Sequence, residues 1–267
     1  MSASTNGGPL LIVGGGRMGE ALLGGLLAAG RPADELVVAE VSPSRRAELA
    51  EAHPGVAVVE AVVSASSAVL AVKPGDVADA VRAVAAAGTH RVLSVAAGVT
   101  TEAIETAAAR PLAVVRAMPN MPALIGAGAA AISAGSTAGE DDLAWAEEVL
   151  GAVGVVVRVP ESALDAVTGL SGSGPAYVFL VAEAMVEGGV LAGLPREIAE
   201  TLTFQTLLGS SRLLVDGSGD PAALRAAVTS PGGTTAAGLR ELERRGVRAA
   251  LLNAVAAATT RARELGQ

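Results

Sequence analysis

A chain of 267 residues that is 51% apolar can bury the core of one large domain or two ordinary ones. A net charge of −8 and only four aromatic residues, Trp145, Tyr177, Phe179 and Phe204, exclude nucleic-acid binding by charge or base stacking. The absence of cysteine excludes disulfides, thiolate zinc sites and a cysteine nucleophile, and two isolated histidines, His53 and His90, argue against any metal site.

The segment Met1-Ser2-Ala3-Ser4-Thr5-Asn6 has neither the positive start nor the apolar core of a signal peptide. The longest uncharged run, Ala117 to Gly139, is broken by Pro119, Pro122 and repeated glycines, which makes a poor membrane helix. The expectation is a soluble cytoplasmic protein with no membrane or nucleic-acid partner. Among the 19 basic residues Lys73 is the one lysine.

In chain order, Leu10-Leu11-Ile12-Val13 is a short apolar run of buried-strand type. The glycines Gly14, Gly15, Gly16 and Gly19 follow, and a helix runs from Arg17 to Ala29 on the spacing of Met18, Leu22, Leu23, Leu26 and Leu27. Leu36 to Ala39 is the next strand, ending at Glu40. Ser42 and Pro43 read as N-cap and first residue of a helix through Ala52. Ala68 to Val72 is a further strand, closed by Lys73-Pro74-Gly75 and a helix from about Asp76 to Ala86. Arg91 to Ala96 and Leu112 to Ala117 repeat the strand pattern. Strands alternating with helices predict an α/β domain with a Rossmann-type parallel sheet covered on both faces.

Near Val159-Pro160 the pattern changes. Helices are expected at about Glu161–Gly169, Pro175–Val190, Arg196–Asp216, Pro221–Val228, Thr235–Arg245 and Val247–Leu265. The chain thus divides into a dinucleotide-binding domain, 9–159, and an all-helical domain, 160–267.

Gly14-x-Gly16-x-x-Gly19 lies between a strand and a helix. There Gly14 permits the tight turn, Gly16 admits a pyrophosphate, and Gly19 allows close helix–strand packing. The intervening residues of the cradle are Gly15, Arg17 and Met18. Glu40, at the end of the second strand, suits the ribose hydroxyls of NAD. Ser42, Ser44, Arg45 and Arg46 suit the 2′-phosphate of NADP, or form a solvated helix start. The balance tips slightly to NADPH, with NADH also usable. Lys73 ends a strand at the ligand-binding edge of such sheets. It faces cofactor or substrate, or is an ordinary surface lysine. Ala96, Ala97 and Gly98 leave room for a nicotinamide. Asn120 offers a donor and an acceptor to a ligand, or is a turn asparagine.

A second glycine-rich loop, Thr229-Ser230-Pro231-Gly232-Gly233-Thr234-Thr235, runs into a helix start. Its backbone N–H groups can converge on one anion, for which a small carboxylate is the natural candidate. Read structurally, it is a helix N-cap whose glycines serve backbone geometry alone.

Taken together, five segments resemble the pyrroline-5-carboxylate reductases: GGGRMG at Gly14–Gly19, AVKP at Ala71–Pro74, MPNMP at Met118–Pro122, LSGSGPAY at Leu170–Tyr177 and VTSPGGTTAAGLREL at Val228–Leu242. The last is the most specific. The resemblance implies NAD(P)H, the cyclic imine 1-pyrroline-5-carboxylate, and a homodimer built by the helical domain, with rings of dimers in some members. It places Gly14–Gly19, Ser42, Ala71, Val72, Lys73, Pro74 and Ala96–Gly98 along the cofactor. It places Ser230, Gly232, Gly233, Thr234 and Thr235 on the substrate carboxylate, with Thr235 at the ring nitrogen. Two departures stand out. Met121 replaces a threonine, and Val58-Val59-Glu60 replaces an Asn-x-Glu that contacts the cofactor in many members.

Two other readings compete. A related imine or 3-hydroxyacid reductase of similar build is disfavoured, because such hydroxyacid enzymes use a lysine in the helical half and none follows Lys73. A non-catalytic dinucleotide-binding regulator needs no second cradle.

Overall fold

The computed structural model describes residues 8–217 and 220–266. The signal-peptide reading of the first six residues lies outside them. The elements in order are β1 Leu10–Val13, α1 Arg17–Ala28, β2 Leu36–Ala39, α2 Pro43–Ala52, β3 Ala57–Val59, β4 Ser67–Leu70, α3 Val77–Ala86, β5 Arg91–Ser94, α4 Thr101–Ala108 and β6 Ala113–Met118. Then come β7 Gly128–Ala134, α5 Glu140–Gly151, β8 Gly154–Arg158, α6 Leu164–Val167, α7 Gly174–Leu191, α8 Arg196–Asp216, α9 Pro221–Ala227, α10 Thr234–Arg244 and α11 Val247–Leu265.

One eight-stranded sheet has the order β3-β2-β1-β4-β5-β6-β7-β8. Strands β1 to β6 are parallel, in the doubly wound order whose switch point lies between β1 and β4. β7 pairs antiparallel with β6, and β8 parallel with β7. The two-faced expectation holds. Leu10 and Ile12 point into one core with Leu22, Leu23 and Trp145, whereas Leu11 and Val13 point into another with Val81, Val84 and Ile104. A strand buried on both faces must be apolar at every position, which is why LLIV does not alternate.

Three strands and two helices exceed the sequence expectation. β3 is three residues long and partly exposed. β7 is GAAAISA, whose alanines have weak strand preference. β8 packs beside it, and α4 and α5 cover that half of the sheet.

The chain forms two compact units. The first holds the residues up to Ser173 together with those from Ala257 onward, and the second is Gly174–Ala256. This division falls later than Val159-Pro160, for a physical reason. The Glu161 carboxylate accepts hydrogen bonds from Thr101 N–H at 2.8 Å, Thr101 Oγ1 at 2.6 Å and Arg116 Nη1 at 3.0 Å, which ties the segment after β8 to α4 and β6. The Arg116 side chain is only 8% exposed. Burial alone would raise the Glu161 pKa, but the Thr101 and Arg116 donors outweigh it and hold the group below the ordinary carboxylate range. Its stabilising contribution is therefore complete above the usual glutamate value and is lost as pH falls below it. Glu161→Gln is expected to lower the unfolding free energy by about 2 kcal/mol near neutral pH, in denaturant titrations. It should also flatten the loss of stability between about pH 5 and pH 3.

Ser171-Gly172-Ser173 was expected to separate two helices. The separation falls at Ser173, a bend in the otherwise helical stretch from Glu161 to Leu191, just after a single π-helical turn at Thr168–Gly172. A Cβ on Gly172 would stand 2.6 Å from Met118 Cε, so glycine permits this turn to close on the end of β6. The run contains an 18-residue window of mean hydropathy 1.3, of which 11% is buried. On length and composition it is the one helix among the described residues that could cross a membrane. It is not the longest uncharged run of the sequence, because Glu161, Asp165, Glu183 and Glu187 interrupt it.

In the second unit α7 packs on α8. Both helices expose large apolar side chains, including Phe179, Leu180, Leu202, Phe204 and Leu208.

Candidate functional site

The first cradle lies where the sequence placed it, between β1 and α1. Gly14 has φ +100°, and a Cβ there would meet Ala71 O at 2.6 Å. Two constraints, one torsional and one steric, thus demand glycine. A Cβ on Gly19 would stand 2.0 Å from Gly14 O, so the third glycine lets the helix seat against its own loop. Gly16 differs. A Cβ there would meet nothing within 4 Å, and the residue is exposed at the N-cap of α1 without a side-chain cap. The first-turn N–H groups of α1 therefore open onto space that a side chain would fill, which is the geometry a pyrophosphate needs.

That space continues into a cleft of about 660 Å3. Gly14, Gly16, Ala71, Val72 and Lys73 line it, as expected, and so does Glu40. Glu60 lines it too, and so do Asp76, Asp79 and the small side chains of Ala80 and Ala83, none of which the sequence singled out apart from Glu60. Glu60 belongs to the segment that the family resemblance set against the cofactor, and the β2–β3 pairing brings it beside Glu40.

The residues following β2 are built differently from the sequence expectation. Both oxygens of Glu40 are held by backbone, Oε2 by Gly15 N–H and Oε1 by Ser42 N–H, each at 2.8 Å. Arg45 turns away from the cleft. Its Nε donates to Gly15 O at 2.8 Å, and its other nitrogens pair with Glu48 and Glu20. The hydrogen bonds to these carboxylates raise the pKa of a group already fully charged. The Gly15 peptide is thus gripped on both sides, its N–H by Glu40 and its C=O by Arg45. Ser42 is the N-cap of α2, accepting from Arg45 N–H at 3.4 Å and sharing a hydrogen with Ser44 Oγ at 3.1 Å. Arg46 donates to the carbonyls of Glu40 and Val41, both at 2.9 Å.

Met18 packs against the core and Arg17 stands exposed at the helix start. Ala96 is buried, Ala97 exposed, and Gly98 has φ +78°. A Cβ on Gly98 would stand 3.3 Å from Leu265 O, so the end of α11 seats on this turn. Pro74 begins a short 3-10 helix capped by Lys73. Asn120 is occupied. Its Nδ2 donates to Ser171 O at 3.1 Å and its Oδ1 accepts from Ala129 N–H at 2.9 Å. These bonds tie β6 to the π turn and to β7, which favours the turn reading over a direct ligand role.

In the second unit, the loop Thr229–Thr235 leads into α10. Gly232 has φ +68°, and a Cβ on Gly233 would stand 2.3 Å from Ser230 Oγ. Gly233 N–H donates to Ser230 O at 3.1 Å. Gly233 is the N-cap of an eleven-residue helix and supplies no side-chain cap. The first-turn N–H groups at Thr234, Thr235 and Ala236 therefore have no intrahelical acceptor. The arrangement can receive a carboxylate.

Comparison with known proteins adds the following. Residues 161–265 match the family model described as pyrroline-5-carboxylate reductase dimerisation, and residues 9–98 match the model for coenzyme F420-dependent NADP oxidoreductases. A pyrroline-5-carboxylate reductase of Synechocystis is 47% identical, covering 96% of this chain and 97% of its own length. One from Mycobacterium tuberculosis is 45% identical over 96% of each chain. A pyrroline-5-carboxylate reductase structure from Coxiella burnetii superposes with TM-score 0.91 at 36% identity, covering 98% of this chain and 100% of that one. The Plasmodium falciparum enzyme with NADP bound gives TM-score 0.84 at 26% identity, over 97% and 98% of the two chains.

Proposed function

The chain belongs to the pyrroline-5-carboxylate reductase family, and we infer that it reduces 1-pyrroline-5-carboxylate to proline at the expense of a reduced nicotinamide dinucleotide, the last step of proline biosynthesis. The observation that carries this reading is identity of 45–47% along nearly the whole chain, which includes both glycine cradles. The local geometry supports it, because each cradle is shaped for an anion. The first is assigned the pyrophosphate and the second the substrate carboxylate.

Reduction of a C=N bond requires a hydride on carbon and a proton on nitrogen. When bound, the dinucleotide supplies the hydride that ends on the imine carbon. An imine protonates readily, so the electrophile arrives activated and the protein needs little acid catalysis. Its work is to hold the ring in a near-attack position. The free N–H groups of Thr234, Thr235 and Ala236 are assigned to the carboxylate, each charge-assisted bond contributing about 1.5–3 kcal/mol. The Thr235 hydroxyl is assigned to the ring nitrogen, where it can donate a hydrogen bond and relay a proton. Lys73, which lines the first cleft, is assigned to the cofactor.

The match to a dimerisation model and the apolar surface of α7 and α8 support a homodimer. A second copy covering that surface would account for the apolar run better than a membrane, and a soluble cytoplasmic enzyme goes with this reading. Oxidation of NADH and NADPH, followed with pyrroline-5-carboxylate and separately with 3-oxo acids, tests the assignment. Turnover with the cyclic imine alone is expected. Turnover of a 3-oxo acid alone would favour a hydroxyacid reductase, and coenzyme binding without turnover a regulator.

A further inference from the structure

We propose that the ribose end of the first cleft selects the unphosphorylated coenzyme, NADH over NADPH, and that Glu40 sets the choice. The proposal rests on the assignment of this cleft to a nicotinamide dinucleotide.

The side chains that favoured a 2′-phosphate in the sequence do not line the cleft. Arg45 is spent on Gly15 O, Glu20 and Glu48. Both hydrogens of Arg46 Nη1 go to backbone carbonyls, and Arg46 Nη2 lies 3.5 Å from a Glu60 oxygen. Ser42 serves as the cap of α2. The ionisable groups that do line the cleft are Glu40, Glu60, Asp76 and Asp79, with Lys73 the one cation among them. Asp79 is paired with Arg82.

Glu40 is more than a nearby charge. With each oxygen held at 2.8 Å by a backbone N–H, it cannot swing aside when a ligand arrives. Its remaining lone pairs are free to accept from ribose hydroxyls, which reduces to a pair of hydrogen bonds when the 2′ position bears –OH. A 2′-phosphate carries close to two negative charges and offers acceptors only, so it meets a fixed carboxylate in a cleft whose one lining cation is Lys73, with Arg46 engaged by two carbonyls and Glu60. Discrimination arises from repulsion as much as from attraction. The bound NADP of the Plasmodium relative belongs to that protein, with which this chain is 26% identical.

The test is calorimetric titration of the full chain with NADH and NADPH, and with ADP-ribose and its 2′-phosphorylated form, in low and high salt. NADH is expected to bind at least about tenfold more tightly than NADPH, with the same order for the fragments. The ratio should shrink as salt screens the repulsion. In Glu40→Gln the ratio should fall at least about fivefold, because NADPH gains while NADH loses a little. Glu40 also holds the Gly15 loop, so Glu60→Gln provides a second variant that leaves the loop bonds in place. It should narrow the ratio in the same direction and by less. Equal or tighter binding of NADPH by the wild type would overturn the proposal. So would an unchanged ratio in both variants. Binding of neither dinucleotide would overturn the assignment of the cleft itself, and the proposal with it.

Discussion

Valine at Gly16 is expected to abolish dinucleotide binding in a protein that stays folded, whereas alanine at Gly19 is expected to unfold the first unit. The two glycines are three residues apart, and a sequence motif treats them alike. The structure separates them. A Cβ at Gly16 meets nothing within 4 Å, and the backbone there is extended, at φ −67° and ψ −175°. Any residue tolerates that conformation, and the loss of a glycine N-cap costs about 1 kcal/mol or less. The side chain would nevertheless occupy the space in front of the α1 amides. Losing two charge-assisted bonds to phosphate weakens binding by more than about 100-fold. At Gly19 the added carbon stands 2.0 Å from a backbone carbonyl oxygen, which cannot move without dismantling the turn at Gly14. A cost of about 3 kcal/mol or more is expected. Thermal melting of the ligand-free proteins, set beside NADH titration, checks both halves. Gly16→Val with normal coenzyme affinity would remove the first cradle from the site.

The second large effect is expected at Thr235. Thr235→Ala should lower kcat by about 100-fold while the dissociation constant of the coenzyme stays within about twofold of wild type. Thr235 is the second residue of α10, so its backbone N–H is one of the unpaired first-turn donors whatever its side chain. The alanine variant keeps that N–H and deletes only the hydroxyl. KM for the imine should therefore change less than kcat, since under this assignment the carboxylate contacts are uniform binding and the hydroxyl is reserved for the nitrogen. Thr235→Ser should recover most of the activity. Stopped-flow measurement of nicotinamide oxidation under saturating imine reads the chemical step directly. Unchanged turnover in the alanine variant would take Thr235 out of the mechanism.

Much of this architecture was legible wherever one local signal dominated. Leu10–Val13 followed by spaced glycines fixed β1, the cradle and α1. Ser42-Pro43 marked the start of α2, and Arg196–Asp216 and Val247–Leu265 matched the helices to the residue. The elements that escaped lack such a signal. β3 is too short to show a period, and the alanines of β7 make strand and helix look alike. At the site, the glycines could be assigned because their demand is on backbone geometry, which sequence spacing encodes. The charged residues could not. Arg45 and Asn120 have the chemistry to bind ligands, yet their partners lie 25–30 and 9–51 residues away, and only the fold reveals that Gly15, Glu20, Ser171 and Ala129 claim them first. Glu60 is the reverse case, a residue that the β2–β3 pairing brings to the cleft.

The seating of Leu265 on the turn at Gly98 bears on how the protein is made. The sheet of the first unit is complete once β8 has left the ribosome, and every strand that carries the coenzyme cleft is then available to pair. The last turn of α11 is nevertheless part of that unit, and a Cβ on Gly266 would stand 3.1 Å from Gly98 O. The turn at Ala96–Gly98 is therefore covered only after α11 has been made. The whole of Gly174–Ala256 is translated in the interval. A chain arrested before α11 would leave the Ala96–Gly98 turn without its cover, so the last turn of α11 completes a unit whose sheet is made well before it.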